Sequence, residues 1–221
     1  GKGTCWAMIT DQTLADASVS VLSVSKDDPY AKDLIEANFS ISNNGVFDLL
    51  AHTSVDIYLI NNSSMSSANV RKLLTTLYTS QAIKPGNHEN ILSTIELPNL
   101  IGQYYLVAEV NANQSQKELS FLNNISDALS LTLLPAYSVE LSTNKKIYIQ
   151  DEEIILTGKA ISNGGSTVSS VPVEVYIIND GYRQVLNSTT NNTGDFQIEF
   201  KPYFGQMGHF IAGGCYPGEA L

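Results

Sequence analysis

The chain has 221 residues, of which 12 are Lys or Arg and 22 are Asp or Glu, so its net charge is −10. Apolar residues make up 43% of the chain, which excludes global disorder. Phosphate binding needs clustered Lys and Arg, so the acidic balance predicts no nucleic-acid partner. No apolar run approaches ~18 residues, so the sequence predicts no membrane span.

The polar surface expected from this composition consists of hydroxyls and amides. Charged residues are 15% of the chain, while it contains 24 Ser, 19 Asn and 15 Thr. This composition is common in secreted and cell-surface β-proteins, so we expect an extracellular or cell-surface location. The first residues show no signal-peptide pattern, as expected of a mature product or of a piece excised from a longer protein.

The first 16 residues are predicted to form an extended N-terminal arm. They fit no pattern of the downstream chain, yet their middle carries apolar, β-compatible side chains that include the only tryptophan. The candidate strand of this arm consists of Thr4, Cys5, Trp6, Ala7, Met8, Ile9 and Thr10.

Residues 17–134 alternate between apolar and polar side chains, which is the pattern of half-buried strands. The clearest case, residues 35–41, ends at the turn sequence Asn43-Asn44-Gly45. Residues 70–79 combine helical spacing of apolar side chains with β-forming residues, and their neighbours favour an edge strand. The predicted strands cover residues 17–21, 35–41, 55–59, 70–79, 91–97, 104–110 and 128–134.

A domain boundary is predicted at Leu134-Pro135, because proline cannot donate a hydrogen bond to a strand ladder. A second alternating series follows, with predicted strands at residues 137–142, 147–149, 153–162, 171–179, 182–190, 195–202 and 209–216. Turn sequences such as Asn179-Asp180-Gly181 separate them. The predicted fold is therefore all-β, with two tandem Ig-like β-sandwich domains (17–134 and 135–221) after the arm (1–16).

Four motifs of residues 17–134 resemble the cell-adhesion-related (CARDB) domain of bacterial and archaeal surface proteins. They read ISNNGVFDLLAHTSVDIYLI, IKPGNHENILSTIEL, GQYYLVAEVNAN and KELSFLNNIS, with Asn111 at a position where the family usually has Asp. Residues 136–221 are similar to bacterial Ig-like and macroglobulin-like modules through IYIQDEEIILTGKAI, VPVEVYI and TGDFQIEF. These resemblances imply an extracellular structural or adhesive role without catalytic residues.

The sequence predicts no catalysis and no tightly bound cofactor. Metalloprotease, serine-hydrolase and P-loop motifs are missing, and His52, His88 and His209 are too far apart in sequence for a local ligand motif. The favoured interpretation of the acidic residues is that they are solvated turn residues, with a structural Ca²⁺ as the alternative, because Ca²⁺ prefers several oxygen ligands. The candidate ligands are Asp27, Asp28, Asp33, Asp151, Glu152, Glu153, Asp180 and Asp195.

Two kinds of surface residue are candidates for glycan chemistry. Tyr176, Tyr182 and Tyr203 could stack on sugars, although strand tyrosines more often pack across strands. Asn-x-Ser/Thr sequons predict N-glycosylation if the protein is secreted, although Asn and Ser also crowd β-turns. The sequons begin at Asn38, Asn61, Asn62, Asn113, Asn124, Asn187 and Asn191.

A strand count predicts how copies of the chain assemble. In a complete sandwich the last strand of the second domain, with His209, Phe210, Ile211 and Ala212, would be followed by one more antiparallel strand. An open edge is rarely tolerated, and the arm strand of a second copy would close it by donor-strand complementation. Such a head-to-tail contact builds an open filament.

The two cysteines fit this prediction. Cys5 would lie beside Cys215 across the antiparallel pair, so we expect an intersubunit disulfide. Two alternatives remain open. The arm could fold back on its own chain, with an intramolecular Cys5–Cys215 bond, or the chain could be one repeat of a longer tandem array with the same contacts in cis.

The predicted function is that of a non-enzymatic extracellular structural or adhesive protein, a building block of a surface filament or sheath. Its main partner would be further copies of itself, with other surface proteins or glycans as possible additional partners. The alternatives are a glycan- or protein-binding module, and accessory domains of a large secreted protein.

Overall fold

The computed structural model describes residues 14–149 and 152–219. The predicted all-β class is confirmed, because strands and a single 3₁₀ turn (Met65–Ser67) are the regular elements of these residues. The strands are β1 (Ala17–Val24), β2 (Leu34–Asn43), β3 (Ser54–Ile60), β4 (Arg71–Tyr78), β5 (His88–Glu96), β6 (Gly102–Val110), β7 (Leu129–Leu133), β8 (Tyr137–Thr143), β9 (Ile154–Ser162), β10 (Pro172–Asn179), β11 (Tyr182–Thr189), β12 (Asp195–Phe200) and β13 (Phe210–Cys215).

The chain divides into two compact units, one ending at Leu134 and the other beginning at Pro135. The predicted arm strand, residues 4–10 with Cys5, lies outside the described residues, as does the candidate ligand Asp151. Each unit is a sandwich of two antiparallel sheets.

Unit 1 (to Leu134) packs the sheet β1-β2-β5 against the sheet β4-β3-β6-β7. Its core follows from the period-two pattern: Ile35, Ala37, Phe39 and Ile41 of β2 are fully buried, and the residues between them are less so. The predicted edge strand over residues 70–79 is confirmed as β4, which ends the second sheet and pairs with β3.

Unit 2 (from Pro135) packs the sheet β12-β9-β8 against the sheet β11-β10-β13. The prediction of a strand at residues 147–149 is wrong. Ile147 and Ile149 are largely exposed, and the segment is held locally: Glu152 accepts a hydrogen bond from the backbone N of Ile149 and forms an ion pair with Lys145. An alternating pattern favours a strand only where a partner strand is available.

The two units share one strand order as far as the described residues go. In each, the first, second and fifth strands form one sheet, and the second sheet begins with the fourth, third and sixth strands. Unit 1 continues this second sheet with a seventh strand, β7, beside β6. Over its described residues, unit 2 has the arrangement of unit 1 without the seventh strand.

Candidate functional site

The outer edge of β13 is the first component of the site. β13 pairs with β10 from Glu174 opposite Cys215 to Asn179 opposite Phe210, and no described strand pairs with its other edge. Paired residues share a face of the sheet. The residues opposite buried Val175 and Ile177 therefore face the interior, and β13 turns Phe210, Ala212 and Gly214 inward and Ile211, Gly213 and Cys215 outward.

A cavity of about 670 Å³ lies beside this edge, inside unit 2. We call it the strand groove. Its floor consists of buried apolar side chains, Ile154, Leu156, Ile177 and Phe200, and its walls are Leu141 of β8 and Ala212 of β13. The exposed apolar side chains that line this cavity together with Phe210 form the groove mouth: Ile147, Ile149, Tyr203 and Met207.

The strand groove is closed at the opposite end. The rings of Tyr137 and Tyr216 are stacked at a tilt, 4.6 Å apart, and the Tyr137 hydroxyl donates a hydrogen bond to the carbonyl of Pro172. Burial, reinforced by Tyr216, raises the pKa of Tyr137. One step further in, β8 approaches β13 so closely that a Cβ at Gly214 would overlap Cγ1 of Val139.

The burial of core-facing residues decreases from the closed end to the mouth. Along β8, Tyr137 is buried, Leu141 is half-buried and Thr143 is exposed. β13 runs from the mouth to the closed end. Tyr216, which directly follows β13 at the closed end, is buried, whereas Ala212, nearer the mouth, is exposed although it faces the interior. Unit 2 therefore has core positions that its described strands leave uncovered.

Unit 1 provides an internal template for the strand that would cover them. There β7 pairs with the first half of β6, with Leu129 opposite Leu106, Leu131 opposite Tyr104 and Leu133 opposite Gly102. Leu131 and Leu133 are 1% exposed and complete the core. The corresponding stretch of unit 2 is the first half of β13, where Phe210 and Ala212 line the strand groove.

Cys215, the candidate disulfide residue of the described chain, is buried on the outward side of β13. Its pKa is raised by burial and by the carboxylates of Glu174 and Glu219, while Arg183 acts in the opposite direction. A thiol with a raised pKa is a poor leaving group, so a disulfide made with Cys215 would resist reduction.

The predicted acceptor residues lie at the strand groove, and the sequence did not reveal what surrounds them. Phe210, Ile211 and Ala212 are in β13, while His209 immediately precedes the strand. The wall from β8 and the mouth residues Tyr203 and Met207 were not predicted. One feature of the sequence could have indicated the mouth: residues 203–210 contain several apolar side chains that do not alternate as those of a strand would.

Three of the candidate calcium ligands are engaged with protein donors. Asp33 is 2.6 Å from the Lys26 ammonium, a hydrogen bond from Lys145 lowers the pKa of Glu152, and one from Thr193 lowers the pKa of Asp195. Within residues 14–149 and 152–219, His, Cys, Asp and Glu form no group of three or more that could hold a metal ion.

The Asn111 substitution noted in the sequence has a structural role in unit 1. The buried carboxylate of Glu118 accepts hydrogen bonds from the backbone N of Ala17 (2.5 Å), from Nδ2 of Asn124 (3.1 Å) and from Nδ2 of Asn111. Asparagine can donate this bond, whereas an ionised Asp could not. Glu118 thereby ties the start of β1 to the loop that precedes β7.

This arrangement corrects one of the predicted sequons. Asn124 is 5% exposed, and its Nδ2 also donates to the carbonyl of Val110, so a glycan on that nitrogen is incompatible with the fold. Asn38 is half-buried on β2. The remaining sequon asparagines are exposed, and their glycosylation stays a prediction: Asn61, Asn62, Asn113, Asn187 and Asn191.

The candidate sugar-binding tyrosines are not gathered on one face. Tyr176 is opposite Val185 and Tyr182 is opposite Asn179, which places the two rings on different faces of the sheet. The guanidinium of Arg183 lies over the ring of Tyr176, 5.4 Å from the ring centroid, and Tyr203 belongs to the groove mouth.

No helix among the described residues is long and apolar enough to cross a membrane.

Comparisons with known proteins give structural likenesses only. No family model and no curated protein matches the chain. Among solved structures, it is similar to the CARDB domain of a Pyrococcus furiosus protein in complex with di-metal ions (TM-score 0.43, 17% identity, 55% of this chain and 96% of that chain). It is also similar to the Yersinia pseudotuberculosis adhesin InvE (0.44, 11%, 86% and 53%) and to an Escherichia coli α2-macroglobulin (0.30, 8%, 90% and 14%).

Proposed function

We propose that the protein is a non-enzymatic, extracellular structural or adhesive building block whose copies join head to tail. The arm strand of one copy would enter the strand groove of the next and pair with β13, as the missing seventh strand. The observation that carries this proposal is the edge of β13 with which no described strand pairs, beside an apolar cavity lined by core positions that the described strands leave uncovered.

The cysteines fix a register for the added strand. With Cys5 opposite Cys215 in an antiparallel pair, Trp6, Met8 and Thr10 are opposite Gly214, Ala212 and Phe210, and their side chains point into the strand groove. A slip of one residue would turn all three outward. These three positions correspond to Leu129, Leu131 and Leu133 of β7 in unit 1.

This register pairs large side chains with small ones. Ala212 leaves space on the inner face of β13, which the Met8 thioether would fill. At Gly214 the inner face is in contact with Val139 of β8, so the Trp6 indole would pack against Val139 at the closed end. On the outer face, Ala7 is opposite Gly213 and Ile9 is opposite Ile211, an apolar side chain that is 52% exposed without the added strand. Inner and outer faces therefore both favour the same alignment.

The disulfide would lock each joint. Two thiols, Cys5 of one copy and Cys215 of the next, would lose two protons and pass two electrons to an external oxidant such as dissolved oxygen. Directly opposite residues of antiparallel strands have Cα atoms ~4.5–5.5 Å apart, within the range that a disulfide spans. If the chain is one repeat of a longer array, the same contacts form in cis between consecutive repeats.

The test uses Trp6, the only tryptophan of the chain, as a reporter of arm insertion. The full chain is concentrated under reducing conditions, and its emission maximum and its sedimentation are followed together. We expect a blue shift that accompanies the growth of multimers, because the indole moves from water into the groove. Oxidation should then give a ladder of disulfide-linked multimers on non-reducing gels.

A chain that lacks residues 1–13 is the matched control. It retains all described strands and should stay monomeric, yet it should bind a peptide of residues 1–13 and unfold at a higher temperature when it does. A full chain that stays monomeric at all concentrations, together with a peptide that does not bind the truncated chain, would overturn the proposal.

A further inference from the structure

Two loops of unit 1 meet where the arm joins β1. The backbone N of Val46 donates to the carbonyl of Leu14 (3.0 Å), and the backbone N of Leu119 donates to that of Ala15 (2.9 Å). The side chain of Gln116 bonds to the backbone N of Leu50. The loop after β2 and the loop after β6 therefore flank residues 14–16 on two sides.

These loops present apolar side chains to solvent. We call them the end patch: Val46, Phe47, Leu50, Leu119, Phe121 and Leu122, which are 41–96% exposed. The residues that flank them in the same loops are mostly polar. Exposed apolar groups concentrated in this way mark interaction surfaces in soluble proteins.

We infer that the end patch of one copy packs against the groove mouth of the copy that receives its arm. This inference rests on the proposed head-to-tail assembly and adds a second contact to it. The groove mouth is a second cluster of exposed apolar side chains, and Ile147 and Ile149 in it are 83% and 77% exposed.

The direction of the inserted strand brings the two clusters together. Because the added strand is antiparallel to β13, its residue 10 is opposite Phe210, and the arm leaves the strand groove at the mouth. Leu14 follows four residues later, so it lies at most ~14 Å from that point. The end patch flanks Leu14 and must therefore come close to the mouth.

The opposite direction would give no such match. A strand parallel to β13 would leave the groove at the Tyr137–Tyr216 end, where the two rings are buried against each other and β8 lies close to β13. The end patch would then lie at the closed end of the groove, away from the exposed apolar side chains of the groove lining, which are those of the mouth. The occupant that fits the end patch is thus a second copy, approached at its groove mouth.

The first test is a cross-linking experiment in a background that carries Cys5→Ser and Cys215→Ser. Leu122→Cys in the end patch and Met207→Cys in the groove mouth are combined in one chain, and the protein is oxidised at a concentration that gives multimers. We expect a ladder of disulfide-linked multimers. The matched control combines Met207→Cys with Leu92→Cys, an exposed position on β5 (66% exposed) outside the end patch, and should give no ladder.

The second test separates this inference from the proposed function. Phe47→Asp with Leu122→Asp leaves the arm and the groove unchanged, so a peptide of residues 1–13 should bind the doubly substituted chain as it binds the original one. The concentration needed for assembly should rise about tenfold or more, since exposed interface anchors are lost. Equal assembly of this variant and of the original chain, with a ladder in neither cysteine pair, would overturn the inference while the peptide still binds. Failure of the peptide to bind would instead overturn the proposed assembly itself.

Discussion

Ala212→Glu provides a direct test of the strand groove. Ala212 faces the interior of unit 2 from β13 and yet is exposed, because nothing among the described residues covers it. In a free subunit the new carboxylate stays in water, so we expect the free energy of unfolding to change by about 0.5 kcal/mol or less. In the complemented subunit the carboxylate would lie beneath the added strand, next to Leu156 and Ile177.

The magnitude follows from the loss of hydration. Burying a carboxylate without a partner costs several kcal/mol in proteins. Taking ~4 kcal/mol, and a factor of ten for each ~1.4 kcal/mol, the affinity for the arm should fall by about three orders of magnitude. Ile211→Glu is the matched control on the same strand, because Ile211 faces outward and its replacement stays hydrated. It should lose only a cross-strand pair worth ~0.2–1 kcal/mol.

The assay titrates a peptide of residues 1–13 into chains that lack those residues. The truncated chains contain no tryptophan, so the emission of Trp6 reports the peptide alone. Thermal unfolding of the same chains without peptide checks that the substitutions leave the fold intact. Unchanged binding by Ala212→Glu, or an equally large loss in Ile211→Glu, would refute the assignment of the inner face.

Three further predictions concern single groups. Glu118→Ala should lower the free energy of unfolding of unit 1 by about 3 kcal/mol or more, because three buried donors lose their acceptor; a change below ~1 kcal/mol by urea denaturation would contradict this role. Gly214→Val should push β8 away from β13 and destabilise unit 2 by about 1–3 kcal/mol, seen as faster amide exchange in β8, whereas unchanged exchange would contradict the close approach to Val139. In a Cys5→Ser chain, iodoacetamide should modify Cys215 more slowly than a free thiol at pH 8, because the raised pKa of Cys215 lowers its thiolate fraction. The rate of modification should increase as the pH rises above 9. A rate equal to that of glutathione at pH 8 would be inconsistent with the burial of Cys215.

The sequence predicted most of the strands, because the alternation of apolar and polar side chains shows which residues must be buried in a core. Ile35, Ala37, Phe39 and Ile41 alternate in the sequence and are buried together in the structure. Residues 147–149 alternate as well, but alternation does not say whether a partner strand exists, and these residues lie at the groove mouth instead.

Long-range contacts were beyond the reach of local patterns. The sequon at Asn124 has the required local chemistry, yet its amide is buried by Glu118 and Val110, which meet it only in the folded unit. The groove itself depends on which strands are neighbours. That order became visible only when β13 could be compared with β6, its counterpart in unit 1.

The Tyr137–Tyr216 contact gives the strand groove a blind end, and this asymmetry determines how a polymer of such chains would grow. Every joint would have the same sense, so each polymer would keep one vacant acceptor at one terminus and one unused donor at the other. A chain without residues 1–13 could only cap the terminus with the unused donor, and a peptide of those residues could only cap the terminus with the vacant acceptor. Once disulfides have locked every joint, mean polymer length would be set by the ratio of capping molecules to intact chains.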